Sequence, residues 1–309
     1  MTSSCRRRVA GIRRRTLIAT MAVAAPVLGL AVASPAMATN PYSVFAQCPT
    51  SFPGMANCVY AQATSGEVKI GSTAVPISKT LIVQGGTLPT GEPGVSILLP
   101  ALNGESLSKT ELNVPGGLLD LINCKEIKGE GFFEKGERIA CEAIFENKTT
   151  GVTATTELVA TEHNPAILNT HALFGETGTA LQLPVRVHLK NPLLGSECYI
   201  GSTASPIELK LTTGTTSPPK PNEPITGFVG ELGEEGEGGI LVVESDGLVD
   251  NSFSAPVVEG CGGFFSFLIN PIVDGKLGLP SAAGHNTAIL NGSQRISPKA
   301  EVIAHGTKP

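Results

Sequence analysis

Tryptophan is absent and tyrosine occurs only three times, at Tyr42, Tyr60 and Tyr199, in a chain of 309 residues. Sugar-binding modules on β-sandwiches stack their ligands on Trp or Tyr faces, so carbohydrate binding falls to a minor hypothesis. The 11 phenylalanines, Phe264, Phe265 and Phe267 among them, read more simply as core or interface residues. Signatures of catalysis are also missing. There is no GxSxG elbow, no P-loop or dinucleotide glycine pattern, and no HxH or HExxH pair. A Ser–His–Asp triad has members far apart in sequence and leaves no local motif of its own. The cysteine spacings contain no CxxC, which sets aside zinc ribbons and redox dithiols. Beyond residue 38 no apolar run is long enough to span a bilayer.

What is present begins with an export signal over 1–38. Arg6-Arg7-Arg8 and Arg13-Arg14-Arg15 form a basic n-region, Leu17 to Val32 an apolar h-region, and Ala36-Met37-Ala38 a small-x-small box that predicts cleavage between Ala38 and Thr39. Arg14-Arg15-Thr16-Leu17-Ile18 also resembles a twin-arginine signal. A chain needing several disulfides fits threading and oxidation outside better, which favours the general secretory route. The signal holds six of the 22 basic residues and no acidic ones. The remainder therefore sets 16 basic against 27 acidic residues, a formal charge of −11, a poor match to nucleic acid or anionic lipid.

Six cysteines follow the signal: Cys48, Cys58, Cys124, Cys141, Cys198 and Cys261. An even number in an exported chain predicts three disulfides, and six cysteines allow 15 pairings. The local set Cys48–Cys58, Cys124–Cys141 and Cys198–Cys261 is expected, because the last pair keeps the second half self-contained. No cofactor is implied.

One stretch occurs twice. Ile70-Gly71-Ser72-Thr73-Ala74-Val75-Pro76-Ile77 returns as Ile200-Gly201-Ser202-Thr203-Ala204-Ser205-Pro206-Ile207. Gly117-Leu118-Leu119-Asp120 falls opposite Gly247-Leu248-Val249-Asp250, and His163 to Asn169 resembles His285 to Asn291. Each octapeptide reads as a strand end, a tight Gly-Ser turn and a new strand opened by Pro76 or Pro206. The fold class expected is all-β: two sandwich-like (Ig-like or similar) β units related by internal duplication and stapled by disulfides. Residues 39–64 form an irregular disulfide-pinned lead-in, 65–175 the first unit and 176–309 the second; one larger sandwich is the alternative.

Individual strands are expected at Glu67–Ile70, Ile77–Gln84, Val95–Leu99, Arg138–Phe145, Val152–Ala160, Ile207–Thr212, Ile240–Glu244, Phe264–Ile269 and Ile296–Ala304. Leu118 to Asn123 is an apolar run, strand or short helix. The clearest strand has Leu181, Leu183, Val185, Val187 and Leu189 alternating with polar residues and Pro184, the last suggesting an edge or a bulge. Thr212 to Pro224 reads as a stiff exposed loop. The acidic glycine-rich stretch 227–239 reads as a solvated loop, with calcium at Glu231–Glu237 the lesser alternative because EF-hand spacing is missing.

Among the five histidines, His163, His171, His285 and His305 sit in loops or chain ends and His188 on a strand's wet face. His285 and Asn286 are the candidate functional pair, since loops carry sites. The stretches Cys198-Tyr199-Ile200-Gly201-Ser202, Leu211 to Thr215, Gly247 to Phe253 and Gly284 to Ala288 resemble those of uncharacterised exported proteins of actinobacteria. That resemblance implies secretion and no assigned activity. The expected role is a secreted or cell-envelope-associated β protein, non-enzymatic, structural or binding, with a cell-wall polymer or another envelope protein as partner. A secreted hydrolase with scattered catalytic residues is the alternative.

Overall fold

The computed structural model describes residues 40–117 and 151–308. The signal segment, the Ala38/Thr39 cleavage pair, the 118–123 run, the 138–145 strand, Cys124 and Cys141 lie outside these residues. Among the described residues the first half contributes β1 (Asn57–Ile70), β2 (Thr73–Pro76), β3 (Leu81–Pro89), β4 (Val95–Leu99), β5 (Glu111–Asn113), β6 (Thr153–Leu158), β7 (Ile167–Asn169) and the short helix α1 (Thr170–Gly175). The second half contributes β8 (Leu181–Lys190), β9 (Tyr199–Ile200), β10 (Ile207–Leu211), β11 (Glu231–Glu235), β12 (Ile240–Asp250), β13 (Val258–Glu259), α2 (Ser266–Leu277), β14 (Thr287–Pro298) and α3 (Lys299–His305).

Among the described residues the strand pairings are all antiparallel, and strands from residues 65–175 and 176–309 share one sheet in place of a sheet for each. β1 pairs along most of its length with β14, and β7 with β8. The neighbour path β12-β14-β1-β3-β4-β7-β8-β10 closes on itself. The closure is the Thr212–Val249 pair, whose two N–H groups donate to each other's carbonyls at 2.9 and 2.8 Å. The result is a barrel, which leaves no open edge along this path.

The alternation in β8 builds one wall. Leu181, Leu183, Val185, Val187 and Leu189 are buried in the main core, as are Ile207, Leu209 and Leu211 of β10. Burying each such side chain stabilises the fold by roughly 1.5–3 kcal/mol. Pro184 lies in a central strand rather than at an edge, and the wall explains why it is tolerated. β7 pairs with β8 up to Gln182, whereas β6 pairs from Val185 onward. Pro184 falls at the fork between them. Its carbonyl accepts the Val159 N–H at 2.9 Å, so its nitrogen faces the same gap, where no ladder partner is needed. The loop after β4 pairs with β3 beside the fork: Ser106 O accepts the Gln84 N–H, and the Ser108 N–H donates to Ile82 O.

The lead-in is less irregular than its proline content suggests. Residues Pro41–Phe45 make a 3-10 turn, and Tyr42 and Phe45 form a second cluster with Cys48, Cys58, Leu99, Ile240, Val242 and Val302 of α3. The Cys48–Cys58 and Cys198–Cys261 disulfides are both present. The two octapeptides make related turns: Gly71 (φ +57°) follows β1 and Gly201 (φ +80°) follows β9, both in the left-handed region that favours glycine. Pro206 directly precedes β10 as expected, but Pro76 closes β2 instead of opening a strand.

Three further expectations are corrected. Phe264 and Phe265 end a 3-10 turn and Ser266–Ile269 open α2, because Ile269, Val273 and Leu277 recur every four residues and bury one helical face, ended by Gly278 at φ +68°. Ile296–Ala304 is split: β14 runs to Pro298, and α3 begins at the next residue. Part of the acidic stretch is a strand, since β11 pairs with β12 from Glu231↔Glu244 to Glu235↔Ile240.

Candidate functional site

The barrel encloses a cavity of about 90 Å³. Its walls are aliphatic: Leu181, Leu183, Val185 and Val187 on β8, Ile207 and Leu209 on β10, Val68 and Ile70 on β1, Leu248 on β12 and Leu290 on β14. Thr156 and a polar patch formed by Asp246 and Gln294 interrupt them. Asp246 is the one charged side chain among the described residues that line the cavity.

The patch is made by two bulges facing each other across β14. The register of β1 shifts between Ala63 and Ser65, and that of β12 between Glu244 and Asp246, so both irregularities meet β14 at Gly292 and its neighbours. Ser245 takes a left-handed conformation (φ +58°) to make the second bulge. A bulge re-aims the side chains that follow it. Without it the inward phase of Leu241 and Val243 would continue through Ser245; with it, Asp246 and Leu248 face the interior. Gly292 is required at the junction, because a Cβ there would meet the Gln62 carbonyl oxygen at 1.7 Å.

Asp246 is only 3% exposed. Gln294 Nε2 donates to its Oδ2, and Gln62 Nε2 donates to Ser293 Oγ at 3.0 Å. Burial pushes the Asp246 carboxyl above the usual carboxylate range, opposed by the Gln294 amide and backbone N–H groups and assisted by nearby Glu244. An apolar cavity with a few convergent polar groups and one perturbed acid is the usual form of a small-molecule site.

The fork in the wall holds a second space. A cleft of about 240 Å³ lies between Leu98, Pro100, Gly104, Ser106, Lys109, Glu157 and Leu158. Leu107 lines both the cleft and the barrel cavity and is 8% exposed. It is therefore the side chain shared by the outer and inner spaces.

No family model, curated protein or solved structure matches this chain.

The residues singled out from the sequence lie elsewhere. His285 is exposed, as are His163, His171 and His305. Asn286 is fully buried and ties three segments together. Its Oδ1 accepts the Gly71 N–H at 2.8 Å, and its Nδ2 donates to Phe253 O at 2.9 Å and Ala282 O at 3.1 Å. These bonds give it a structural role at the end of β1. His188 belongs to an outer cluster, stacked on Tyr199 at 4.3 Å, with Nδ1 3.7 Å from Glu157 Oε1. Thr155, opposite it in the ladder, is completely buried, so no substrate reaches its hydroxyl. In the acidic stretch Glu235 pairs with Arg295, whose Nη2 is 3.0 Å away. Among the described residues no group of three or more His, Cys, Asp or Glu side chains is placed to hold a metal ion. Phe264 is 89% and Phe267 73% exposed, so neither is a core residue.

Sequence reasoning missed the inward polar patch. Its signal was a phase break in Ile240 to Asp250, where alternation before Glu244 resumes one residue out of step at Asp246.

Proposed function

We propose that this is an exported, non-enzymatic binding protein whose barrel interior takes a small apolar ligand. The observation that carries the reading is the cavity itself: a largely apolar lining that places Asp246 and Gln294 inside where two facing bulges meet β14. Engineered apolar cavities of roughly 150 Å³ accept benzene, so about 90 Å³ suits a chain of roughly four carbons. The shared position of Leu107 makes the fork the route of entry, with the cleft as its outer mouth.

Export accords with the two disulfides and with a charged-then-apolar N-terminal segment. Among the described residues no helix is long and apolar enough to cross a membrane. Internal duplication is supported by the matching strand–glycine–turn geometry at Gly71 and Gly201. The duplicated pieces then build one barrel, each supplying part of the wall. The hydrolase alternative gains nothing from the exposed loop histidines or from the sealed Thr155.

The test is a titration of methyl-labelled protein with n-butanol, read by NMR. Shifts confined to Leu183, Leu209, Leu248 and Leu290, abolished in the cavity-filling variant Leu209→Phe, are expected. Shifts spread over the surface, or none, would overturn the reading.

A further inference from the structure

We infer that the cavity's preferred ligand is a short alkyl chain carrying a primary ammonium group, with Asp246 as its counter-ion. This rests on the binding role proposed above and specifies the chemical class that the site selects.

The lining contains a carboxyl but, among its described residues, no cation. Burial disfavours the ionised carboxyl while the lining supplies no cation, and an ammonium entering the chamber is the partner that makes the ionised form favourable. Gln294 is neutral and satisfies hydrogen bonding at Oδ2 without supplying charge. Arg295, the next residue along, is committed elsewhere: its guanidinium bonds Glu235 and Glu244.

Charge alone would not suffice, because an ammonium taken out of water also loses hydrogen bonds. It has three N–H donors. The lining supplies a further acceptor beside the carboxylate: Gln294, paired with Val243 across β12–β14, lies on the same face as Asp246 and bonds it through Nε2. The amide oxygen of Gln294 thus belongs to the same lining as Asp246. A buried ion pair contributes net binding only when its remaining protons are satisfied in this way. The aliphatic remainder then takes the alkyl chain.

The backbone supports the assignment independently. Ser245 occupies left-handed space that non-glycine residues rarely adopt, and this residue turns Asp246 inward. Strain of this kind persists where the surrounding structure over-determines it, often at ligand sites. The formal charge of −11 after the signal also favours approach of a cation over an anion.

The experiment compares n-butylamine, n-butanol and butyrate on the full folded protein at one pH, with affinities from the same methyl shifts. Butylamine is expected to bind about tenfold or more tightly than butanol, in the range of a charge-assisted over a neutral hydrogen bond, with butyrate weakest. Asp246→Asn should remove the amine's advantage over butanol. Equal binding of butylamine and butanol to the wild-type cavity would overturn the ammonium assignment while leaving the binding role standing. Failure of all three to reach the cavity would overturn both. The wild-type comparison stands by itself if the variant folds poorly.

Discussion

Asp246 is the residue on which pH dependence should turn. Its carboxyl is raised by burial, so the folded chain holds that proton where the unfolded chain has released it. Stability from this group therefore falls as pH rises from about 4, the unfolded carboxyl value, through the folded value, the reverse of a salt-bridged aspartate. Asp246→Asn has no such group to ionise. Urea unfolding across this range should show the variant gaining on wild type as pH increases; parallel curves would show that the carboxyl is solvated. Gly292→Ala addresses the neighbouring backbone. A Cβ at 1.7 Å from the Gln62 oxygen forces β1 and β14 apart, and a loss above about 3 kcal/mol is expected in the same measurement.

At the scale of elements, the fork explains Pro184 and gives Leu107 its importance. Leu107→Ala should cost about 2–5 kcal/mol, as large-to-small core changes do, and should also join cleft to cavity. Faster ligand exchange in NMR lineshapes, alongside lower stability, is the expected pair of effects. Lower stability with unchanged exchange would place the entrance elsewhere. Asn286→Ala belongs here as well. It leaves the Gly71 N–H without its acceptor and loosens the turn after β1, at about 2–3 kcal/mol by thermal unfolding.

Element type was legible where a period was clean. The two-residue alternation from Leu181 to Leu189 and the β-rich run Val95–Leu99 both form the strands expected. It was illegible where a short apolar run met two readings. Phe264 to Ile269 holds good strand formers, but its helical face becomes visible only when Val273 and Leu277 are added and a core is there to receive it. Asp246 was hidden for a related reason: a bulge shifts phase by one residue, which in sequence looks like noise. Its effect depends on the partner strand, and strand pairing is not written locally.

At the scale of the whole molecule, the repeated octapeptide was plain in sequence and its consequence was not. Two copies of a turn do not say whether the strands around them close separate sheets or a common wall. Pairing of β1 with β14, and the Thr212–Val249 contact, decide that. The Cys198–Cys261 bond ties the segments around β9 and α2 across 63 residues. Replacing both cysteines with alanine should lower stability by roughly 4 kcal/mol in the loop-entropy model, seen as a lower denaturant midpoint. No change would mean that the barrel restrains this segment without the bond.

The most direct test of the account is a crystal structure of the protein under xenon pressure. Xenon density between Leu183, Leu209, Leu248 and Leu290 is predicted, with the barrel wall unmoved. An interior without xenon, while the gas occupies other apolar sites, would contradict the claim that this barrel is built around a ligand cavity.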